Sequence, residues 1–177
     1  SRGAMELVSR YSEFSLSILT KNAFVLRDLD LLKRMRDRVN VGFTITTFSS
    51  VTQSAFEPHA SPVRDRIKAL RRLNEAGIDT WVFIAPILPY ATEEDLEQGL
   101  RRVAEAGVKR LMTDRYNARG MIIRQTLQAY RSWRPSIGLQ RVQELLWHGD
   151  EYYRQLDKRI ALLWQEVAAG STHKAVF

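Results

Sequence analysis

The side chains that most often do chemistry are sparse in this 177-residue chain. There is no cysteine, which excludes disulfides, thiolate metal sites and a thiol nucleophile. The three histidines, His59, His148 and His173, stand too far apart to form a metal-ligand spacing. Glycines occur singly, so no Gly-rich loop cradles a phosphate, and no GxSxG turn presents a serine. What remains is charge and hydroxyl chemistry. Lys and Arg number 27 against 20 Asp and Glu, a net charge of +7. That excess suits a polyanionic partner such as nucleic acid or a phosphorylated ligand. No five basic residues run consecutively, so it reads equally as solvated helix faces. Trp147, Tyr152, Tyr153 and Trp164 interleave with Arg154, Lys158 and Arg159, a pattern able to stack on bases and grip phosphates. The same stripe carries Leu156, Ile160 and Leu163 at helical spacing and reads also as a core face.

The elements that position these groups centre on Trp81 to Tyr90, a nearly unbroken apolar run ending in Pro86-Ile87-Leu88-Pro89. Its length and its helical flanks predict a parallel strand buried on both faces. Phe14 to Lys21 and Val39 to Phe48 read as earlier strands, and Arg27 to Arg38 as the helix between them. Val51 to Ala60 reads as a long connection carrying Phe56-Glu57-Pro58-His59. Ser61 is expected to cap a helix starting at Pro62 and ending at Gly77. Thr92 is expected to cap the next, with Glu93, Glu94 and Asp95 at its dipole and Gly107 at its end. Val108 to Tyr116 is the fourth strand and Met121 to Arg131 a helix stopped by Trp133-Arg134-Pro135. Gln140 to Ala168 forms one or two helices interrupted near Gly149. Ser1 to Met5 reads as a cloning scar and is set aside, leaving 6–131 as the α/β unit and 132–177 as a helical extension. No apolar run approaches the roughly 20 residues that span a bilayer, and no signal peptide is evident, so no membrane partner and a cytoplasmic location are expected.

Arg71-Arg72-Leu73-Asn74-Glu75-Ala76-Gly77-Ile78 is echoed by Arg101-Arg102-Val103-Ala104-Glu105-Ala106-Gly107-Val108 at an offset of 30 residues, about one βα unit. Four strands, each followed by a helix, imply right-handed parallel crossovers and an α/β fold. On the second strand Val41, Phe43 and Ile45 share one face and Gly42, Thr44 and Thr46 the other. On the first, Ser15, Ser17 and Lys21 oppose Phe14, Leu16 and Ile18. Filled barrels prefer Val, Ile and Leu inside, so the small hydroxyl face suggests an inner wall that holds a ligand, or one that contacts another protein segment.

Ser17-Ile18-Leu19-Thr20-Lys21-Asn22 followed by Leu26-Arg27-Asp28-Leu29-Asp30-Leu31-Leu32 resembles radical S-adenosylmethionine proteins, closest to the spore photoproduct lyase-like, DNA-repair-photolyase-like group. Three further stretches match in order: Phe56-Glu57-Pro58 with Ser61-Pro62 and Arg66; Ala76-Gly77-Ile78 with Ala85-Pro86-Ile87-Leu88-Pro89; and Asp114-Arg115-Tyr116-Asn117-Ala118-Arg119-Gly120. The resemblance covers about residues 14–131. It implies a partial TIM-type (βα) barrel made of the C-terminal part of such an enzyme, and S-adenosylmethionine as the cofactor. The family's CxxxCxxC loop is missing here, so a [4Fe–4S] cluster belongs only to a parent that supplies the N-terminal half. By resemblance, Lys21 meets the nucleoside's carboxylate or ribose, Thr44 hydrogen-bonds the same ligand, and the Ala85 backbone flanks adenine. Glu57, Arg64 and Arg66 orient substrate or one another. Asp114, Arg115, Asn117 and Arg119 lie where arginine would clamp a substrate phosphate. Each has a plain structural alternative: a solvated lysine, a satisfied hydroxyl, a surface ion pair, a helix N-terminal network. A different reading is a non-catalytic module that binds nucleic acid and, with two sheet edges unpaired, self-associates as a homo-oligomer.

Overall fold

A computed structural model describes residues 2–11, 13–117 and 121–172, the side chains of 171 and 172 excepted. The central apolar run forms β3 (Asp79–Ile87). It is flanked by β2 (Val39–Thr44), which pairs outward with β1 (Leu16–Thr20), and by β4 (Arg110–Arg115). All three pairings are parallel and the strand order is β1-β2-β3-β4, so the α/β class and the partial (βα) architecture hold. The crossovers carry α2 (Leu29–Arg34) after β1, α4 (Val63–Glu75) after β2 and α5 (Leu96–Glu105) after β3. α6 (Ile122–Trp133), α7 (Leu139–His148) and α8 (Asp150–Thr172) follow β4, and the chain turns between the last two at Gly149, as expected.

The two strand faces differ as alternation requires. Val39, Val41, Phe43, Val82 and Ile84 join Leu31, Leu32, Leu70, Leu73 and Leu100 in one core between sheet and helices. Rows on the other face run Leu19–Gly42–Trp81–Arg110 and Thr44–Phe83–Met112. Leu19 and Met112 there are each 48% exposed, so this face is only partly covered. The expected small-residue wall is also partly filled from within. A Cβ on Gly42 would stand 2.3 Å from the Trp81 ring, which occupies the space that glycine leaves. Trp81 Nε1 donates to Asn40 Oδ1 at 2.8 Å, fixing the indole.

The segment set aside in the sequence contributes to α1 (Arg2–Tyr11), which buries Met5, and Arg2 pairs with Asp28 and Asp30, each at 2.9 Å. Several other expectations are corrected. The Arg27–Arg38 helix is broken into 3-10 turns at Ala23–Asp28 and Arg36–Arg38 around α2. Val39 to Phe48 is strand only to Thr44, and the supposed connection contains α3 (Ser50–Phe56), whose Ser49 cap accepts from Thr52 N at 3.4 Å. Ser61 does not cap α4, because its hydroxyl accepts from Ala23 N at 3.0 Å and reaches Asn22. Gln53 Oε1 takes the cap's place, accepting from Val63 N at 2.8 Å. Thr92 is likewise diverted: its hydroxyl accepts from Leu88 N at 2.9 Å, and α5 starts only after Asp95, at φ 55°. Glu93 serves Tyr152 and Arg159 of α8 and Glu94 serves Arg134, so these acids tie the C-terminal helices to the β3–α5 loop. Gly77 and Gly107 end their helices with φ of 76° and 87°, the left-handed geometry expected of both.

Candidate functional site

In parallel α/β sheets ligands sit at the carboxyl ends of the strands, and here that edge carries a buried ionic cluster. Glu57 is at its centre. Arg66 Nη2 lies 2.7 Å from Glu57 Oε2, and Lys21 Nζ 2.8 Å from Oε1. Thr46 Oγ1 sits 2.6 Å from Oε1 and 3.0 Å from the Ala85 carbonyl, its single proton serving one of these acceptors at a time. Arg66 is fully buried; Nη1 donates to Thr44 O at 2.8 Å and Nε to Ser61 O at 2.7 Å. One guanidinium thus joins the end of β2, the loop before α4 and the acid after α3. Its planar fork suits three directed acceptors where an ammonium would not. Gln53 Nε2 adds a second donor to Ser61 O at 3.1 Å, and Ser61 N donates to Lys21 O at 3.1 Å.

The electrostatics follow from burial. Loss of water pushes the Glu57 carboxyl up, but Arg66, Lys21 and the Thr46 hydroxyl outweigh it and hold the group below the ordinary carboxylate range. Two cations face one anion, so the cluster carries a net positive charge whose outer member is Lys21. That side chain is 42% exposed against 5% for Glu57, making it the member able to meet a ligand.

The expected residues therefore divide. Lys21, Thr44, Glu57, Arg66 and Ala85 converge, Thr44 and Ala85 through their carbonyls. Arg66 and Glu57 are committed to each other, and Arg66 also to two backbone carbonyls, so together they hold the edge in shape. Arg64 makes no ion pair within the cluster: its side chain is 78% exposed and 3.7 Å from Asp65, on the rim of a cavity of about 600 Å³ that Glu57 and Gln53 also line. Asp114, Arg115 and Asn117 line a separate cavity of about 350 Å³ between the end of β4 and the α7–α8 junction. Arg115 is ion-paired there with Asp150, so a phosphate clamp at this point requires that pair to open. Arg119 lies outside the described residues. Sequence reasoning missed Gln53 and Asp150 and gave Thr46 no contact of its own. Thr46 was within reach, because it continues the Gly42–Thr44 face. Among the described residues no group of His, Asp and Glu is placed to hold a metal ion, and no helix is long and apolar enough to cross a membrane.

The fold and this edge define a parallel α/β half-barrel with a basic rim. The chain is similar to uncharacterized protein ORF301 of Acidianus two-tailed virus, 28% identical over 85% of this chain and 46% of that protein. Uncharacterized protein MJ0683 of Methanocaldococcus jannaschii is 39% identical over 50% of this chain and 33% of its own length. Uncharacterized protein Mb2609c of Mycobacterium bovis is 31% identical over 52% and 28%. The chain spans about half or less of the length of these relatives. No family model matches, and neither does a solved structure.

Proposed function

We propose that this chain is the C-terminal portion of a radical S-adenosylmethionine enzyme of the DNA-repair-lyase-like type. In this reading it contributes contacts to the nucleoside and substrate while the cluster is held outside it. The observation that carries the proposal is the convergence of Lys21, Thr44 and Ala85, the three positions matched to the nucleoside site, on one strand-end edge with Lys21 outermost. The residues fit the nucleoside cofactor: a half-exposed ammonium for a carboxylate or hydroxyl, and a partly covered sheet face beside it. They do not fit the iron–sulfur cluster, which needs thiolates, and the chain has none. The cofactor, when bound, would supply the radical chemistry; the residues here bind and orient it. The greater length of the relatives agrees with a cluster-bearing segment encoded elsewhere in the parent.

Equilibrium dialysis with labelled S-adenosylmethionine tests the reading on the chain as it stands. Saturable binding is expected. Lys21→Ala should weaken it about tenfold or more, the worth of a charge-assisted hydrogen bond, while Lys68→Ala on the exposed flank of α4 leaves it unchanged. Equal affinity in Lys21→Ala and the unaltered chain would remove Lys21 from the site.

The second reading, a self-associating module that binds nucleic acid, draws on a different observation. Among the described residues the outer edges of β1 and β4 have no strand partner, and the chain carries a net charge of +7.

A further inference from the structure

The partly covered face of the sheet carries a second recess, at the amino-terminal ends of the strands and so at the far end from the Lys21 edge. It measures about 490 Å³, within the range of small-molecule sites. Its polar character is set by one amide. Trp81 Nε1 and Ser17 Oγ both donate to Asn40 Oδ1, each at 2.8 Å. An indole nitrogen can only donate, so the amide atom it faces is the oxygen, and the orientation of the Asn40 side chain is fixed. Asn40 Nδ2 is then left as a donor with no hydrogen bond to a described residue, and it is not one of the buried unpartnered atoms. Lys109 on the same rim is exposed and has no ion pair to another described residue, whereas Arg110 beside it is held by Asp79. The free polar groups of the recess are therefore an amide NH2 and an ammonium. Its apolar wall is half-buried Trp164 from α8 and Met112, which is 48% exposed although it lines a concavity. Indole and thioether both favour contact with an aromatic ring. A cation would meet Lys109 and find no free carboxylate on the lining, and an uncharged hydrocarbon would leave both donors without acceptors.

We propose that this recess binds a small aromatic anion, a planar ring bearing a carboxylate or a phosphate. The ring lies against Trp164 and Met112, Lys109 Nζ is the counter-ion, and Asn40 Nδ2 donates to an oxygen of the ligand. The inference is independent of the nucleoside reading, because it uses none of the residues at the Lys21 edge.

Titration calorimetry of the full chain at constant ionic strength provides the test, with indole-3-acetate, uridine monophosphate and tryptamine as probes. A saturable heat is expected with at least one of the two anions and not with tryptamine, which carries the indole ring on an ammonium. Preference for indole-3-acetate identifies an aromatic carboxylate as the ligand, and preference for the nucleotide a phosphate. Lys109→Gln, an exposed change, should weaken binding about tenfold, the worth of a charge-assisted hydrogen bond. Asn40→Asp keeps an oxygen for Trp81 and Ser17 but turns the free donor into a second carboxylate oxygen, so it should abolish anion binding. Lys21→Ala should leave the affinity unchanged. No saturable heat from either anion up to about 10 mM, a concentration that would reveal even millimolar affinity, would overturn the proposal. So would tryptamine binding as tightly as indole-3-acetate, unchanged affinity in Lys109→Gln, or binding lost in Lys21→Ala.

Discussion

At the scale of single residues, Glu57 decides most. It sits between a fully buried guanidinium and a half-exposed ammonium, so removing its charge leaves Arg66 buried without a counter-ion. Breaking one side of a buried pair costs about 3–5 kcal/mol; we expect Glu57→Gln to lower stability by that order in urea denaturation. The sign of the pH effect follows from its depressed pKa. The folded state holds the carboxylate more strongly than the unfolded chain does, so the contribution is complete above about pH 4.3, the ordinary value. It is lost as pH falls through the lower folded pKa. Denaturation followed from neutral to acid should therefore show a slope below that point, and Glu57→Gln should reduce it. An equal slope in both proteins would assign acid sensitivity to Asp28 and Asp30, whose carboxyls are also held low, each first by its hydrogen bond from Arg2. Lys21, Glu57 and Arg66 were singled out in the sequence through the family resemblance, since charges at strand and loop ends are by themselves most often solvated. Which of them are committed to one another was not legible. That depends on Arg66 reaching back from α4 to the Thr44 carbonyl, a tertiary contact with no local signature.

Among the elements, two close approaches occur at glycine, one between the neighbouring strands β2 and β3 and one between α5 and the loop that follows β2. A Cβ on Gly42 would lie 2.3 Å from the Trp81 ring, and one on Gly99, inside α5, 1.9 Å from Phe48. Propensity alone says that Gly99→Ala should stabilise a helix by about 1 kcal/mol. Overpacking costs about 1–3 kcal/mol, so the expected outcome is a net loss of stability, with Gly42→Ala also destabilising. A higher thermal midpoint for Gly99→Ala would mean that Phe48 swings away freely. The regular elements were readable where pattern and breaker agreed, as in the repeat ending at Gly77 and Gly107. They were misread where side chains were diverted. Ser61 and Thr92 are sound caps by residue type, yet each spends its hydroxyl on a loop, and α3 is too short and too polar, SVTQSAF, to show a helical period.

For the whole molecule, the sheet is a four-stranded parallel segment of a barrel, with one face sealed by helices and the other only partly covered. The C-terminal helices belong to this body: α8 packs against α5 and β4, and Tyr152 and Arg159 hold the Glu93 loop. Parallel strands gain most when both faces and both edges are covered. In the proposed enzyme a nucleoside and the remaining strands of a parent barrel would cover the open face. The most direct test is to read the coding frame on the N-terminal side of this segment in its source genome. If the proposed function is right, the frame continues through a strand followed by a CxxxCxxC loop. A frame with no such cysteines would contradict it, and would leave the self-associating, nucleic-acid-binding module as the better explanation of the exposed edges and the positive charge.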